Sequence, residues 1–324
     1  MQNAEAKKLG TQIGGFISKN LFVVSIPLVV IIFSLIEKNF VSWYNISNML
    51  YNICPLLMVA GGLTYVLMLG SIDLSTGALC SCTCVLAGLN IGAMGNKIIL
   101  LMILLGVVAG LVNGLLVAIL KMPSFIATLC TQSIWTCVAL VASNGTSSSI
   151  SQADRAIIEW TKFKILDLPI IFWITVVLFA GLIFLEKKTS IGKALTAVGA
   201  NANAARMAGV NIPLVQIACF LVCSLCSSIT GVWYALMLKG AIPTIGNNIG
   251  LMGIASVAVG GTSLAGGNGS VVRTIFGCAT IIMIRTGLNV IGTDAFWQDI
   301  IFGVILVLAL VMNSDRSMKN RVVK

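Results

Sequence analysis

Uncharged apolar runs recur along this chain and leave most of its charged residues to the breaks between them. A helix of about twenty residues crosses a bilayer, and ten runs approach or match that length, at 21–36, 49–70, 74–93, 97–120, 124–143, 168–186, 213–235, 248–262, 270–290 and 296–313. Lipid solvates apolar side chains but offers nothing to backbone N–H and C=O groups. Each must therefore pair internally, which favours helices. The eighth run is short and rich in glycine. The pattern predicts an all-α membrane protein, one transmembrane domain over 1–324, with about ten transmembrane helices, some of them broken or short.

Charge placement sets the expected orientation. Only 9% of residues are charged, against roughly 25% in soluble domains, and the net charge is +10. With the N-terminus in the cytoplasm and every run crossing once, 13 Lys and Arg fall inside and 7 outside, as the positive-inside rule requires. Both termini are then cytoplasmic. Residues 1–20 form a cytoplasmic tail, 144–167 an external loop and 187–211 a cytoplasmic segment. Basic residues scattered this way follow membrane topology and argue against nucleic acid as a partner. The first apolar run has no convincing small-residue cleavage site and leads into further runs, so it reads as a membrane helix rather than a signal peptide.

The missing chemistry is informative. The chain has no His, which removes His-based triads and the zinc-protease motif. Of its ten Cys, Cys80, Cys82 and Cys84 alternate. On a helix such residues point about 200° apart, so they do not converge on a metal and read as packing residues. No catalytic residue and no metal site is expected. No phosphate-binding Gly-x-x-x-x-Gly-Lys-Ser/Thr loop is present, so any ATP that drives this chain is hydrolysed by another subunit. An ion-coupled carrier would need titrating groups inside the membrane, and the runs nearly lack them. A lipid-modifying enzyme would need a carboxylate, His or metal cluster at the interface. A conduit with few fixed charges suits a neutral polar solute.

Local patterns mark candidate positions. In 199–209, Asn201 can cap a short helix and Gly209 can end it, giving either a helix outside the hydrocarbon or a connecting loop. Asp73 lies between two runs and can cap a helix beginning at Leu74. Gly70-Ser-Ile-Asp73-Leu74-Ser75-Thr-Gly77 and Gly260-Gly261-Thr-Ser-Leu264-Ala265-Gly266-Gly267 share Gly, Leu and Gly at one offset. Asp73, Ser75, Gly77, Gly260, Gly261, Gly266 and Gly267 are the candidate gate or helix-junction residues. Gly106, Gly110 and Gly114 fall on one helix face and favour close helix packing.

Taken together, several motifs resemble those of a known family. They are Ile72-Asp73-Leu74-Ser75-x-Gly77, Asn113-Gly114-Leu115-Leu116-Val117, Pro123-Ser124-Phe125-Ile126-x-Thr128-Leu129, Gly199-x-Asn201-x-x-Ala204-Ala205-Arg206-x-x-Gly209-Val210-Asn211, Gly260-Gly261-Thr262-Ser263-Leu264-x-Gly266-Gly267-x-Gly269-Ser270 and Phe296-Trp297-Gln298. In this order they resemble the permease subunits of bacterial ABC importers for monosaccharides of the ribose, galactose and xylose type, over about 42–315. The resemblance implies a vitamin-B12-permease-like architecture in the bacterial cytoplasmic membrane and a second permease chain, taken as identical. It also implies an ATP-binding cassette subunit that binds ATP and Mg, and an extracytoplasmic sugar-binding protein. It further implies that Gly199, Asn201, Ala204, Ala205, Arg206 and Gly209 belong to a coupling helix docking on the ATPase. A nucleoside or a sugar-like signal is the alternative solute. The chain departs from the family pattern at Ala202 and Asn203 and at Gly250-Leu251-Met252, where relatives often carry acidic residues.

Overall fold

A computed structural model describes residues 21–313. The two tails, with Lys7, Lys8, Lys19 and Arg316 among their basic residues, lie outside the described residues. Helices stand where all ten apolar runs were expected: α1 (Leu21–Ile36), α2 (Trp43–Met68), α3 (Ser75–Met94), α4 (Lys97–Ala118), α5 (Ser124–Ala142), α6 (Ile170–Lys188), α9 (Ile212–Leu238), α10 (Ile249–Val259), α11 (Val271–Val290) and α12 (Ala295–Asn313). Between α6 and α9 lie two short helices, α7 (Ser190–Ala200) and α8 (Ala202–Met207). Seven of the described helices are long and apolar enough to cross a membrane, α2 to α6, α9 and α11.

The bundle has two distinct ends. Loops at one end carry Lys121, Lys187, Lys188, Lys193, Arg206 and Arg273 and form the basic end. At the opposite end, 144–167 is more ordered than its polar sequence suggested. It holds β1 (Ser148–Ser149), a 3₁₀ turn (Asp154–Lys162), and the antiparallel pair β2 (Lys164–Ile165) and β3 (Leu168–Pro169). Trp160 Nε1 donates to Asn96 Oδ1 at 3.1 Å, fastening this cap to the loop before α4.

α2 is the axis of the fold. Every side chain from Ile53 to Met68 is buried. Its own glycines set the spacing: a Cβ at Gly61 would meet Phe179 and Leu182 of α6, and one at Gly62 would meet the α9 backbone at Cys223. The stripe on α4 does what small residues at this spacing allow. A Cβ at Gly110 would lie 2.5 Å from Leu221 Cα, and one at Gly114 2.8 Å from Ile217 Cα, so α4 and α9 touch along their backbones. Dispersion at such close approach holds helices together in lipid, where burial of apolar surface gives little drive. The alternating cysteines separate as expected: Cys80 and Cys84 face the main core, and Cys82 faces Val85 and Ala139 on the other side.

The expected eighth span differs. α10 has 11 residues, about 16 Å of helix, half of a hydrocarbon core about 30 Å thick. The residues before it form β4 (Gly240–Ala241), paired antiparallel with β1, and then turns through Asn248. Pro243 and Gly246 within this stretch oppose a helix. The stretch runs down the side of α3: Gly240 backs onto Gly88 and Gly246 onto Gly77, each so close that a Cβ would collide with the facing carbonyl. Eleven residues of α3 correspond to a descent of about 16 Å. α10 therefore starts deep inside the bundle.

α3 starts deep as well, from the other side. Asn113 Nδ2 donates to Ser75 Oγ at 2.9 Å, and Asn113 lies five residues before the end of α4, about 8 Å inside that end. Thus 69–74 enters from the basic end and becomes α3, while 240–248 enters from the opposite end and becomes α10. The two half-length entries meet at Gly77 and Gly246.

Candidate functional site

The cytoplasmic candidates fold as two capped helices. Thr189 Oγ1 accepts from Gly192 N at 3.4 Å and starts α7. Asn201 ends α7 and caps α8, its Oδ1 accepting from Asn203 N and Ala204 N, both at 3.1 Å. Gly209, at φ +82°, closes the helix end in the left-handed region, where lack of a Cβ removes the strain. Asn211 Oδ1 then caps α9 through Leu214 N at 3.2 Å. Of the short helix, Ala205 is buried, while Ala204, Arg206, Met207 and Ala208 are exposed. α8 thus offers a small, weakly charged outer face.

Gly199 ties this segment to the bundle. A Cβ at Gly199 would overlap the Met68 carbonyl and lie 2.6 Å from Gly267 N. Gly267 N itself donates to Met68 O at 2.8 Å. Gly266 and Gly267 adopt φ +88° and +77° and press on Gly70, Gly199 and Ala200. Three loops therefore lock backbone to backbone: the end of α2, the end of α7 and the loop from α10 to α11. Gly260 and Gly261 lie in that last loop, but Gly260 packs on Arg273 and Thr274 at the start of α11. The internally similar stretches meet at Gly70 and Gly266, yet they differ in role. One enters the bundle and begins α3; the other stays in turns at the basic end.

Asp73 and Ser75 form a separate, deeper group. Asp73 Oδ1 accepts from Ser75 N at 2.9 Å and Ser75 Oγ at 2.6 Å, the capping expected, with the helix beginning one residue later than read from sequence. The entering chain is held by other helices: Ile72 N donates to Ser124 Oγ and Leu74 N to Thr128 Oγ1, each at 3.1 Å. Thr131 Oγ1 donates to Asn113 Oδ1 at 2.8 Å, extending the network to α5. Ser124, Thr128, Thr131 and Asn113 were not among the candidate site residues. Their signal was polarity inside or beside apolar runs, but which of them converge is decided by packing. At the other end of the loop path, Glu186 Oε2 accepts from Val271 N at 2.9 Å, so the end of α6 caps α11.

Comparison with known proteins decides the family. Residues 45–310 match the family described as branched-chain amino acid transport system / permease component. This chain belongs to that permease family. It is 30% identical to the ribose import permease protein of Escherichia coli K12 over 298 residues, covering 91% of this chain and 93% of the relative. It is 32% identical to the ribose import permease protein of Bacillus subtilis over 316 residues, 96% and 94%. The autoinducer 2 import system permease protein of Shigella flexneri is 28% identical over 303 residues, 92% and 88%. No solved structure matches. The chain is a multi-pass permease of the bacterial cytoplasmic membrane and a subunit of an ABC importer of the sugar class.

Proposed function

We propose that the chain carries a monosaccharide, delivered by an extracytoplasmic binding protein, through a pair of such permeases driven by a separate ATP-binding cassette subunit that holds ATP and Mg. In this reading the basic end and both tails are cytoplasmic, α8 is the coupling helix, and all ten apolar helices sit in the membrane with α10 and the chain before it together making one passage. The observation that carries it is the Gly199–Met68–Gly267 contact. An exposed helix at the basic end is rigidly joined to the loops that lead to α3 and α10, so a push on α8 reaches both half-length entries by rigid-body motion. The relatives named for ribose import support a sugar over an amino acid. The relative named for autoinducer 2 import favours a sugar-like signal as the second reading.

Deletion of 204–209, or Arg206→Glu combined with Met207→Glu, is expected to abolish sugar-stimulated ATP hydrolysis in the reconstituted complex while the permease still inserts. Stimulation at the unsubstituted level in both variants would refute the coupling role of α8.

A further inference from the structure

Where α3 and the chain entering α10 meet, a cavity of about 290 Å³ opens between α3, α5 and α10. Its position, about 8–10 Å inside the ends of α4 and α5, follows from the Ser75–Asn113–Thr131 bonds. Both helices that begin here lack a side-chain cap from their N-cap residues, Leu74 and Asn248. Their first N–H groups have no partners within the helix, and the two positive dipole ends share one space. Two buried oxygens line the same cavity. Thr76 Oγ1 has no hydrogen-bond partner, and Asp73 Oδ2 has none beyond the weak thiol donor of Cys223. Asp73 and Thr76 are 0% and 1% exposed. A buried, unmatched hydroxyl or carboxylate oxygen is destabilising unless something fills its bonding capacity. From α5, Gln132 and Thr136 complete the polar lining.

The chemistry selects the occupant. An anion would be repelled by Asp73, and a cation by two helix N-termini. A neutral molecule rich in hydroxyls satisfies both sets at once, its protons going to Asp73 Oδ2 and Thr76 Oγ1 and its oxygens accepting from N–H groups. At about 290 Å³ the cavity sits at the bottom of the roughly 300–1,000 Å³ range of ligand pockets, which fits one sugar ring. Resting on the reading of the chain as a sugar permease, we infer that this junction is a monosaccharide-binding station within the permease itself. The solute pauses here on its way and is recognised a second time after the binding protein releases it.

The test is ligand protection of an introduced thiol. Thr76→Cys is placed in a background of Cys130→Ser and Cys137→Ser, which removes the exposed cysteines, and the full complex is reconstituted in proteoliposomes. Labelling by a small water-soluble methanethiosulfonate is timed with D-ribose, with other pentoses and hexoses, and with glycine betaine at equal osmolality. A sugar is expected to slow labelling along a saturating curve, about tenfold at ten times its half-effective concentration, and betaine to leave it unchanged. Gly250→Cys, whose added Cβ would sit 3.0 Å from Thr76 Oγ1 across the cavity, repeats the measurement should the first variant not insert. Absence of labelling at both positions, or labelling that no sugar slows, overturns the station. ATP-driven ribose uptake without protection keeps the importer and refutes the site; protection without ATP-driven uptake keeps the site and refutes the importer.

Discussion

Gly199 has no room for a side chain, and that single fact links the exposed helix to the bundle. A methyl there would overlap the Met68 carbonyl, a backbone atom at the end of the most buried helix. Overpacking of this kind costs about 1–3 kcal/mol. Gly199→Ala is therefore expected to lower the unfolding temperature in detergent by several degrees and to cut sugar-stimulated ATP hydrolysis more than it cuts insertion. Gly209→Ala, with φ +82° but nothing within 4 Å of the added atom, should change stability by about 1 kcal/mol through backbone strain alone. Equal thermal shifts and equal losses of stimulation in the two variants would show that the contact at Gly199 has no special part. The sequence showed Gly199 and Asn201 because caps and turn glycines are local physics. Contact between Gly199 and Gly267, 68 positions further on, depends on how loops pack, and no spacing along the chain reports it.

At the scale of elements, apolar runs located the helices well because length and hydropathy are properties of continuous segments. Seven of ten helices are long enough to cross a membrane, and the start of α2 came six residues earlier than read because Ser42 caps it through Asn45 N. What sequence hid was the broken eighth run. Ile245, Ile249, Leu251, Ile254 and Val257 read as one apolar stretch, yet the half before Ile249 is not helical because Pro243 and Gly246 favour turns and α3 offers a glycine-lined track. The glycine stripe on α4, by contrast, was fully legible, since i, i+4 and i+8 share a helix face. It yields a direct prediction. Gly110→Leu forces α4 away from Leu221 on α9, while Gly181→Leu meets open space on α6. The first should destabilise by about 1–3 kcal/mol or more and the second by little, as read from paired thermal-unfolding curves in detergent. Matching curves would mean that α4 and α9 are not packed backbone to backbone.

For the molecule as a whole, the chain before α10 stands between two spaces. Asn247 lines the junction cavity on one side and, on the other, a cavity of about 490 Å³ bordered by Tyr234, Arg285, Asn289 and Gln298. A solute passing from one to the other has to move this segment. Its printed restraints are few: Gly246 N donates to Ser81 Oγ at 2.9 Å, and β4 pairs with β1 in the cap, Ser148 opposite Ala241. Facing Cα atoms in an antiparallel pair lie about 4.5–5.5 Å apart, within the roughly 4.4–6.8 Å that a disulfide spans. Ser148→Cys with Ala241→Cys, in the background lacking the exposed cysteines, should therefore cross-link on oxidation without unfolding the bundle. Because the cap is itself anchored through Trp160 to the loop before α4, the bond would pin the segment in the position seen here. Uptake by the reconstituted complex should fall by at least about tenfold on oxidation, equivalent to about 1.4 kcal/mol on the barrier, and return when reductant is added. ATP hydrolysis offers the second readout: a pinned partition decouples hydrolysis from uptake, so the ratio of ATP consumed to sugar moved should rise. Undiminished uptake in the fully cross-linked protein would show that the solute bypasses Asn247, and the route would then have to run along the outer face of α5 instead.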